Sequence, residues 1–229
     1  VVSTQSTGRR MREDLMEVVA VLDMSGSMEP LTMDTIGGFN AYLAEMKAQT
    51  IEVKMTLILF NVESTLVYAH VPVKDVPDLT PQVYMPDNGT ALRDALGDAI
   101  ILARKHQSEQ PDEGKAGFVS FFIQTDGEEN SSRRFSQEQI KQMITQAQEE
   151  DKWNFVFAGA NIDAFEVGQQ YGFQAQNIAN IANDEEGQRK VFRAVAMQNM
   201  CYAQAPAFKE QMECEDAPQM QFQAMYDMM

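Results

Sequence analysis

The sequence is short of several things at once, and each shortage excludes a class of protein. It holds two cysteines, Cys201 and Cys214, in 229 residues. They are too few and too far apart for a disulfide scaffold or a cysteine-built zinc cluster, and read as unpaired thiols of a reducing compartment. Its two histidines, His70 and His106, leave zinc few of the ligands it favours. His70 closes a strand-like run and His106 falls in the last turn of a helix, where a cation suits the dipole, so both read as structural. Bases are scarce: 18 against 34 acids, a formal charge of −16. A surface of that sign repels nucleic-acid phosphates and anionic membranes, so neither is an expected partner. The longest apolar runs, such as Met55 to Phe60, are strand-length and far below the roughly 18–20 residues of a membrane span. No charged segment leading into an apolar one opens the chain as a secretory signal would, and the expected location is the cytoplasm.

What is present is a core. Apolar residues make up 44% of the chain, enough for one sizeable domain. Met16 to Leu22 is a β-branched apolar run that stops abruptly at Asp23-Met-Ser-Gly-Ser27, which reads as a buried strand and a turn. Ile36, Phe39, Leu43 and Met46 recur at helical spacing. Gly37-Gly38 inside that helix costs about 1 kcal/mol per residue, and close approach of the helix to a sheet would justify it. Val53–Phe60 and Ser64–His70 read as a hairpin, and Thr90–Lys105 as a helix. Phe118–Gln124 is an apolar strand ending in Thr125-Asp126-Gly127. Ser136-Gln-Glu-Gln139 has capping-box form and opens a helix to about Glu150. Trp153–Ala158 is a strand with Trp153 in a packing role, Asp163–Tyr171 a helix, Gln176–Ile181 a weak strand and Asp184–Met200 a helix.

Strands separated by helices predict an α/β fold: a doubly wound, mainly parallel central sheet, helices on both faces, one antiparallel edge strand. The expected organisation is a polar lead-in over residues 1–15, one domain over 16–203 and an acidic, Met- and Gln-rich tail over 204–229. That tail carries Glu210, Glu213, Glu215, Asp216 and Asp227 against Lys209.

In such a sheet ligands bind beyond the carboxyl ends of the strands, where strand order reverses. Three polar turns fall there: Asp23-x-Ser25-x-Ser27, Asn88-Gly89-Thr90 and Asp126. Together they offer two carboxylates and three hydroxyls. An all-oxygen set with two formal charges suits magnesium or manganese. Asp94, one turn into the following helix, reads as a hydrogen-bonding or dipole-matching residue.

Asp23-Met-Ser-Gly-Ser27, then Thr90, then Thr125-Asp126-Gly127 resembles the metal-ion-dependent adhesion site of the von Willebrand factor type A domain. The stretches DMSGSMEPLTMDTIGGFNAYL, NGTALRDALGDAI, FFIQTDGEENSSRRFS and WNFVFAGANIDAF are similar to small stand-alone bacterial and phage members, over about Glu17 to Met200. The resemblance implies a Rossmann-like fold and a bound Mg2+ or Mn2+. Ser25 and Ser27 would ligate it directly, Thr90 would do so in the ligand-engaged state, and Asp23 and Asp126 would lie close, often acting through water. A sixth position would remain open for a Glu or Asp carboxylate of a protein partner. Met24, Gly89, Glu128, Glu129 and Asp163 form the expected partner-facing rim, although Asp163 reads first as a helix N-cap.

Three functions compete. A metal-dependent protein-binding module needs no base or nucleophile, and the sequence shows no phosphate loop, no G-x-S-x-G and no histidine beside a serine. A magnesium phosphohydrolase using Asp23 as nucleophile would usually want a second carboxylate two residues on, where Ser25 stands; the expectation is therefore no enzyme. A structural part of a larger assembly, phage-related or otherwise, is the third, with the acidic tail as connector or as a self-ligand for a neighbouring copy.

Overall fold

Nine consecutive residues from Leu15 to Asp23 are buried, which is what a strand covered on both faces demands of its sequence. They belong to β1 (Arg12–Asp23), the centre of a six-stranded sheet in a computed structural model that describes residues 12–209 and 221–229, the side chains of 202–209 excepted. The other strands are β2 (Glu52–Phe60), β3 (Ser64–Pro72), β4 (Ala116–Thr125), β5 (Asn154–Gly159) and β6 (Ile178–Asn180), in the order β3-β2-β1-β4-β5-β6. All neighbours are parallel except the β2–β3 hairpin. The chain leaves β1 toward β2 and β3, then crosses to β4 on the other side of β1. The strand order therefore reverses between β1 and β4, with Asp23 at the end of one and Thr125 at the end of the other.

Alternation along β1 divides the core. Val18, Ala20 and Leu22 face α1 (Thr32–Lys47) and α5 (Glu185–Lys209), whereas Val19 and Val21 face α2 (Leu92–Glu109), α3 (Gln137–Glu149) and α4 (Ala164–Gln170). Two helix-covered layers on one sheet are the expected doubly wound α/β architecture. Ser136 forms the capping box foreseen for α3, and Trp153 is buried, stacked on Phe121 at 5.5 Å.

The glycine pair in α1 has a different cause from the one expected. A Cβ on Gly38 would fall 2.4 Å from Phe192 of α5, while one on Gly37 would meet nothing within 4 Å. The close approach is helix to helix, and it needs one glycine only. Gly37→Ala should raise stability by about 1 kcal/mol through helix propensity. Gly38→Ala should lower it by about 2 kcal/mol through overpacking. Thermal unfolding of the two variants would show opposite shifts; equal shifts would refute the assignment.

The ends of the domain also differ from the expected boundaries. β1 begins at Arg12, inside the segment read as lead-in, because Arg12 pairs with Asp14 at 2.9 Å and Glu52 at 3.0 Å and so extends the sheet with polar residues. α5 runs to Lys209, past the expected end at 203. Residues 221–229, read as part of the tail, contain α6 (Phe222–Met228), whose Phe222, Met225 and Tyr226 are buried in the α1/α5 layer. Gln223 Oε1 accepts the Asn180 N–H of β6 at 2.8 Å, and the Tyr226 hydroxyl accepts the Ala182 N–H at 2.8 Å. Asp227 is exposed on α6 and takes a hydrogen bond from Gln223 at 3.0 Å. Glu210, Glu213, Cys214, Glu215 and Asp216 lie outside the described residues. Among the described residues no helix is long and apolar enough to cross a membrane.

Candidate metal centre

The turn after β1 is closed by its own aspartate. Asp23 Oδ1 accepts the Ser25 N–H at 2.7 Å, and Oδ2 accepts the Thr125 hydroxyl from the end of β4 at 2.6 Å. Backbone bonds hold the turn from outside: Met24 N–H to Phe60 O at 2.6 Å, Gly26 N–H to Asn88 O at 2.9 Å and Asp87 N–H to Met24 O at 3.0 Å. The buried Tyr84 hydroxyl donates to the Asp23 carbonyl at 2.6 Å. Neither Thr125 nor Tyr84 was among the expected site residues, although Thr125 stands in the quoted T-D-G.

Around that turn the remaining donors converge. Ser25 and Ser27 hydroxyls are 3.1 Å apart, and Ser27 Oγ donates to Asp126 Oδ1 at 2.5 Å. A Cβ on Gly127 would stand 3.5 Å from Thr90 Oγ1 and 3.8 Å from Ser27 Oγ. The loop after β4 thus meets both hydroxyls at one place, and the lack of a side chain at 127 keeps that place open. Thr90 is held by Asn130, whose Oδ1 accepts its N–H at 2.9 Å and whose N–H donates to its carbonyl at 3.0 Å. The five residues expected to form a cation site are therefore brought together.

Asp126 Oδ2 is buried and has no hydrogen-bond partner, and among the described residues neither Asp23 nor Asp126 has a Lys or Arg ion-pair partner. Burial raises the pKa of Asp23, against the hydrogen bonds from Thr125 and Ser25 and with a further push from Asp126; burial likewise raises that of Asp126. Two carboxylates and three hydroxyls short of positive charge fit a hard divalent cation, which supplies the missing charge.

The rim differs from the expected one. Met24 is buried, and its Sδ accepts the Met85 N–H at 3.2 Å, so it underlies the rim instead of forming it. Glu129 is occupied as a loop organiser: it accepts from the N–H groups of Arg93, Ser131 and Ser132 at 2.9, 2.9 and 2.7 Å. Asp163 caps α4 through the Glu166 N–H at 3.0 Å. Gly89 is half-buried between Asn130, Ser131 and Val62, and Glu128 is exposed. The large exposed apolar side chains flanking the turns are Val62 and Met85, which sequence reasoning did not single out. Asp94 has the hydrogen-bonding role expected of it, accepting the N–H groups of Arg133, Arg134 and Phe135 at 3.0, 3.0 and 3.1 Å.

No family model matches the sequence, and no curated protein matches it. Solved structures do. A von Willebrand factor type A protein from Catenulispora acidiphila is 17% identical, TM-score 0.52, over 81% of this chain and 42% of its own. Proximal thread matrix protein 1 of the mussel byssus is 13% identical, TM-score 0.57, over 80% and 45%. The vWF domain of the type V pili tip protein Mfa5 from Porphyromonas gingivalis is 10% identical, TM-score 0.58, over 88% and 97%. The chain spans less than half the length of the first two and nearly all of the third. At such identities the likeness concerns architecture. A six-stranded sheet of this order, with its polar turns at the β1/β4 switch point, places the chain in the von Willebrand factor type A fold.

Proposed function

We propose that this domain is a divalent-metal-dependent protein-binding module, with Asp23, Ser25, Ser27, Thr90 and Asp126 holding Mg2+ or Mn2+. The observation that carries the reading is the buried, unpartnered Asp126 Oδ2 beside two serine hydroxyls, with no Lys or Arg ion pair to Asp23 or Asp126 among the described residues. When bound, the cation supplies an electrophilic position for one more anion, a Glu or Asp carboxylate of a partner. The chain's own residues do the rest. Asp23 fixes the Ser25–Ser27 turn, Asn130 fixes Thr90, and exposed Val62 and Met85 offer apolar contact beside the carboxylate. No histidine stands among these five residues to act as general base for a serine, and the carboxylates that meet the hydroxyls are the ones the cation would claim, so we read it as a binding site and not an enzyme's.

The fold neighbours include a pilus tip protein and a byssal thread matrix protein, which favours partners within a larger assembly as the setting of this module. The net charge of −16 opposes an acidic partner, but at a Debye length of about 8 Å it affects association rate more than contact at the metal. Affinity capture in magnesium and in chelator, compared by mass spectrometry, tests the reading. A protein retained only in magnesium, and lost with Asp126→Ala, is the expected result. Capture indifferent to both would overturn it.

A further inference from the structure

Glu17 is a charged residue in the middle of the apolar run of β1, and it is 1% exposed. No lysine or arginine among the described residues forms an ion pair with it, although Lys54 is its register partner on β2. Its partners are His70 Nδ1 at 2.5 Å and the Gln107 side-chain amide at 2.6 Å. His106, from the last turn of α2, lies flat on His70 with ring centroids 3.6 Å apart and planes 8° from parallel. The two histidines that the sequence assigned to separate structural roles are therefore one cluster. His106 is also a poor dipole-matching cation, because burial, with the neighbouring His70, lowers its pKa.

His70 is positioned with some effort. Its φ is 53°, the left-handed region that costs a non-glycine residue about 1–2 kcal/mol. The β2–β3 register slips at this point, from Leu57↔Tyr68 to Met55↔Val71, which places a bulge at Ala69–His70. Its N–H is taken by Thr56 Oγ1 at 3.0 Å. A bulge re-aims a side chain, and here it sends the imidazole over β2 toward Glu17. His70 Nε2 is left buried without a partner. A carboxylate, two imidazoles and a buried ring nitrogen without a hydrogen-bond partner thus stand together in one place.

We propose that Glu17, His70 and His106 form a second metal site, for a zinc-class transition ion, on the α2 side of the sheet. One ligand atom from each lies within 4.8 Å of the others. Ligands around one zinc ion stand roughly 3.3 Å apart given bonds of about 2.0–2.1 Å, so no pair has to close by more than about 1.5 Å. Rotation of the half-buried His106 about its side-chain bonds supplies that movement. The ligand types separate this site from the oxygen-only pocket at Asp23 and Asp126: imidazole selects zinc, cobalt or nickel over magnesium. Glu17 precedes Asp23 by six residues, so the two sites are about 20 Å apart along β1, and neither depends on the other.

Cobalt(II) is the probe. Titrated into the full chain, free of any polyhistidine tag and in saturating magnesium, it should bind one equivalent and give the visible absorption of an imidazole-ligated ion. Zinc should displace it. His106→Gln and Glu17→Gln should each weaken binding by about tenfold or more, while Asp126→Ala leaves it unchanged. Absence of cobalt binding to the unaltered chain in magnesium, or binding indifferent to His106→Gln, overturns the proposal. His106 is half-buried on a helix, so its variant carries the test even where Glu17→Gln fails to fold. Loss of the magnesium site alone would leave this result standing.

Discussion

Replacing Asp126 with alanine will weaken magnesium binding on the order of a hundredfold and leave the metal-free fold as stable as before, or more so. At 4 Å two unit charges interact by about 4 kcal/mol at an effective dielectric of 20. The cation's lost hydration offsets much of that, and about 2.7 kcal/mol is a factor of a hundred. The fold does not lose in parallel, because the carboxylate is buried, gains one side-chain hydrogen bond, from Ser27, leaves Oδ2 without a partner and is disfavoured as an anion. The pH dependence has a definite sign. Burial raises the pKa of both Asp126 and Asp23, so their contribution to stability is full below the ordinary carboxylate range and is lost as pH rises through the raised values. Metal-free protein should therefore gain stability on acidification from neutral pH, and magnesium should flatten that gain by competing with the proton. Calorimetric titration and thermal melts with and without magnesium measure both. A metal-free Asp126→Ala protein that unfolds readily would make the residue a structural one.

Asp94→Ala will cost about 3 kcal/mol and do so without removing a metal ligand. The Asp94 carboxylate gathers three successive N–H groups, of Arg133, Arg134 and Phe135, and Ser132 Oγ returns a hydrogen bond by accepting the Asp94 N–H at 3.1 Å. Hydrogen bonds to a charged group are worth about 1.5–3 kcal/mol each where buried; the exposed Arg133 and Arg134 backbone recovers part of this from water. Burial would raise the Asp94 pKa, but the three N–H groups and Arg134 outweigh it and hold the carboxyl below its ordinary value. Its stabilisation is thus complete above the unfolded pKa of about 3.9 and lost as pH falls through the lower folded one. Denaturant melts of Asp94→Ala and wild type should differ at pH 7 and converge in strong acid. Because the 130–135 segment also carries Asn130, which holds Thr90, the variant should bind magnesium more weakly at unchanged ligand identity. Full affinity in the variant would break that link.

The residues that bring chemistry to the β1/β4 switch point were legible because each turn follows directly on an apolar strand, and donor type narrows the metal. The rim was less legible. Met24 is adjacent to site residues in sequence and Glu129 three positions from Asp126, yet Glu129 is consumed by backbone donors and Met24 is buried, and neither fact is a matter of spacing. The Glu17–His70–His106 cluster was invisible for a stronger reason. Its members are separated by 53 and 36 positions, and the contact depends on a one-residue bulge in an edge strand. α6 was hidden by its flanks: a seven-residue segment with three buried side chains, inside an acidic, glutamine-rich stretch, has too little periodicity to announce burial.

Gln223 has a consequence for how the sheet ends. Its amide presents a carbonyl and an N–H side by side, as a peptide unit does, and spends them on the backbone of Asn180, at 2.8 Å and 3.3 Å, while the second amide N–H goes to Asp227. β6 is therefore terminated by a side chain imitating a seventh strand for the length of one residue. A foreign strand cannot zip onto that margin without first evicting α6. The opposite margin, β3, has nine residues and an exposed Leu66, and among the described residues nothing equivalent closes it. If copies of this domain join edge to edge, they can do so only β3 to β3, which closes a pair and leaves no edge for a third copy, and the bulge at His70 interrupts even that.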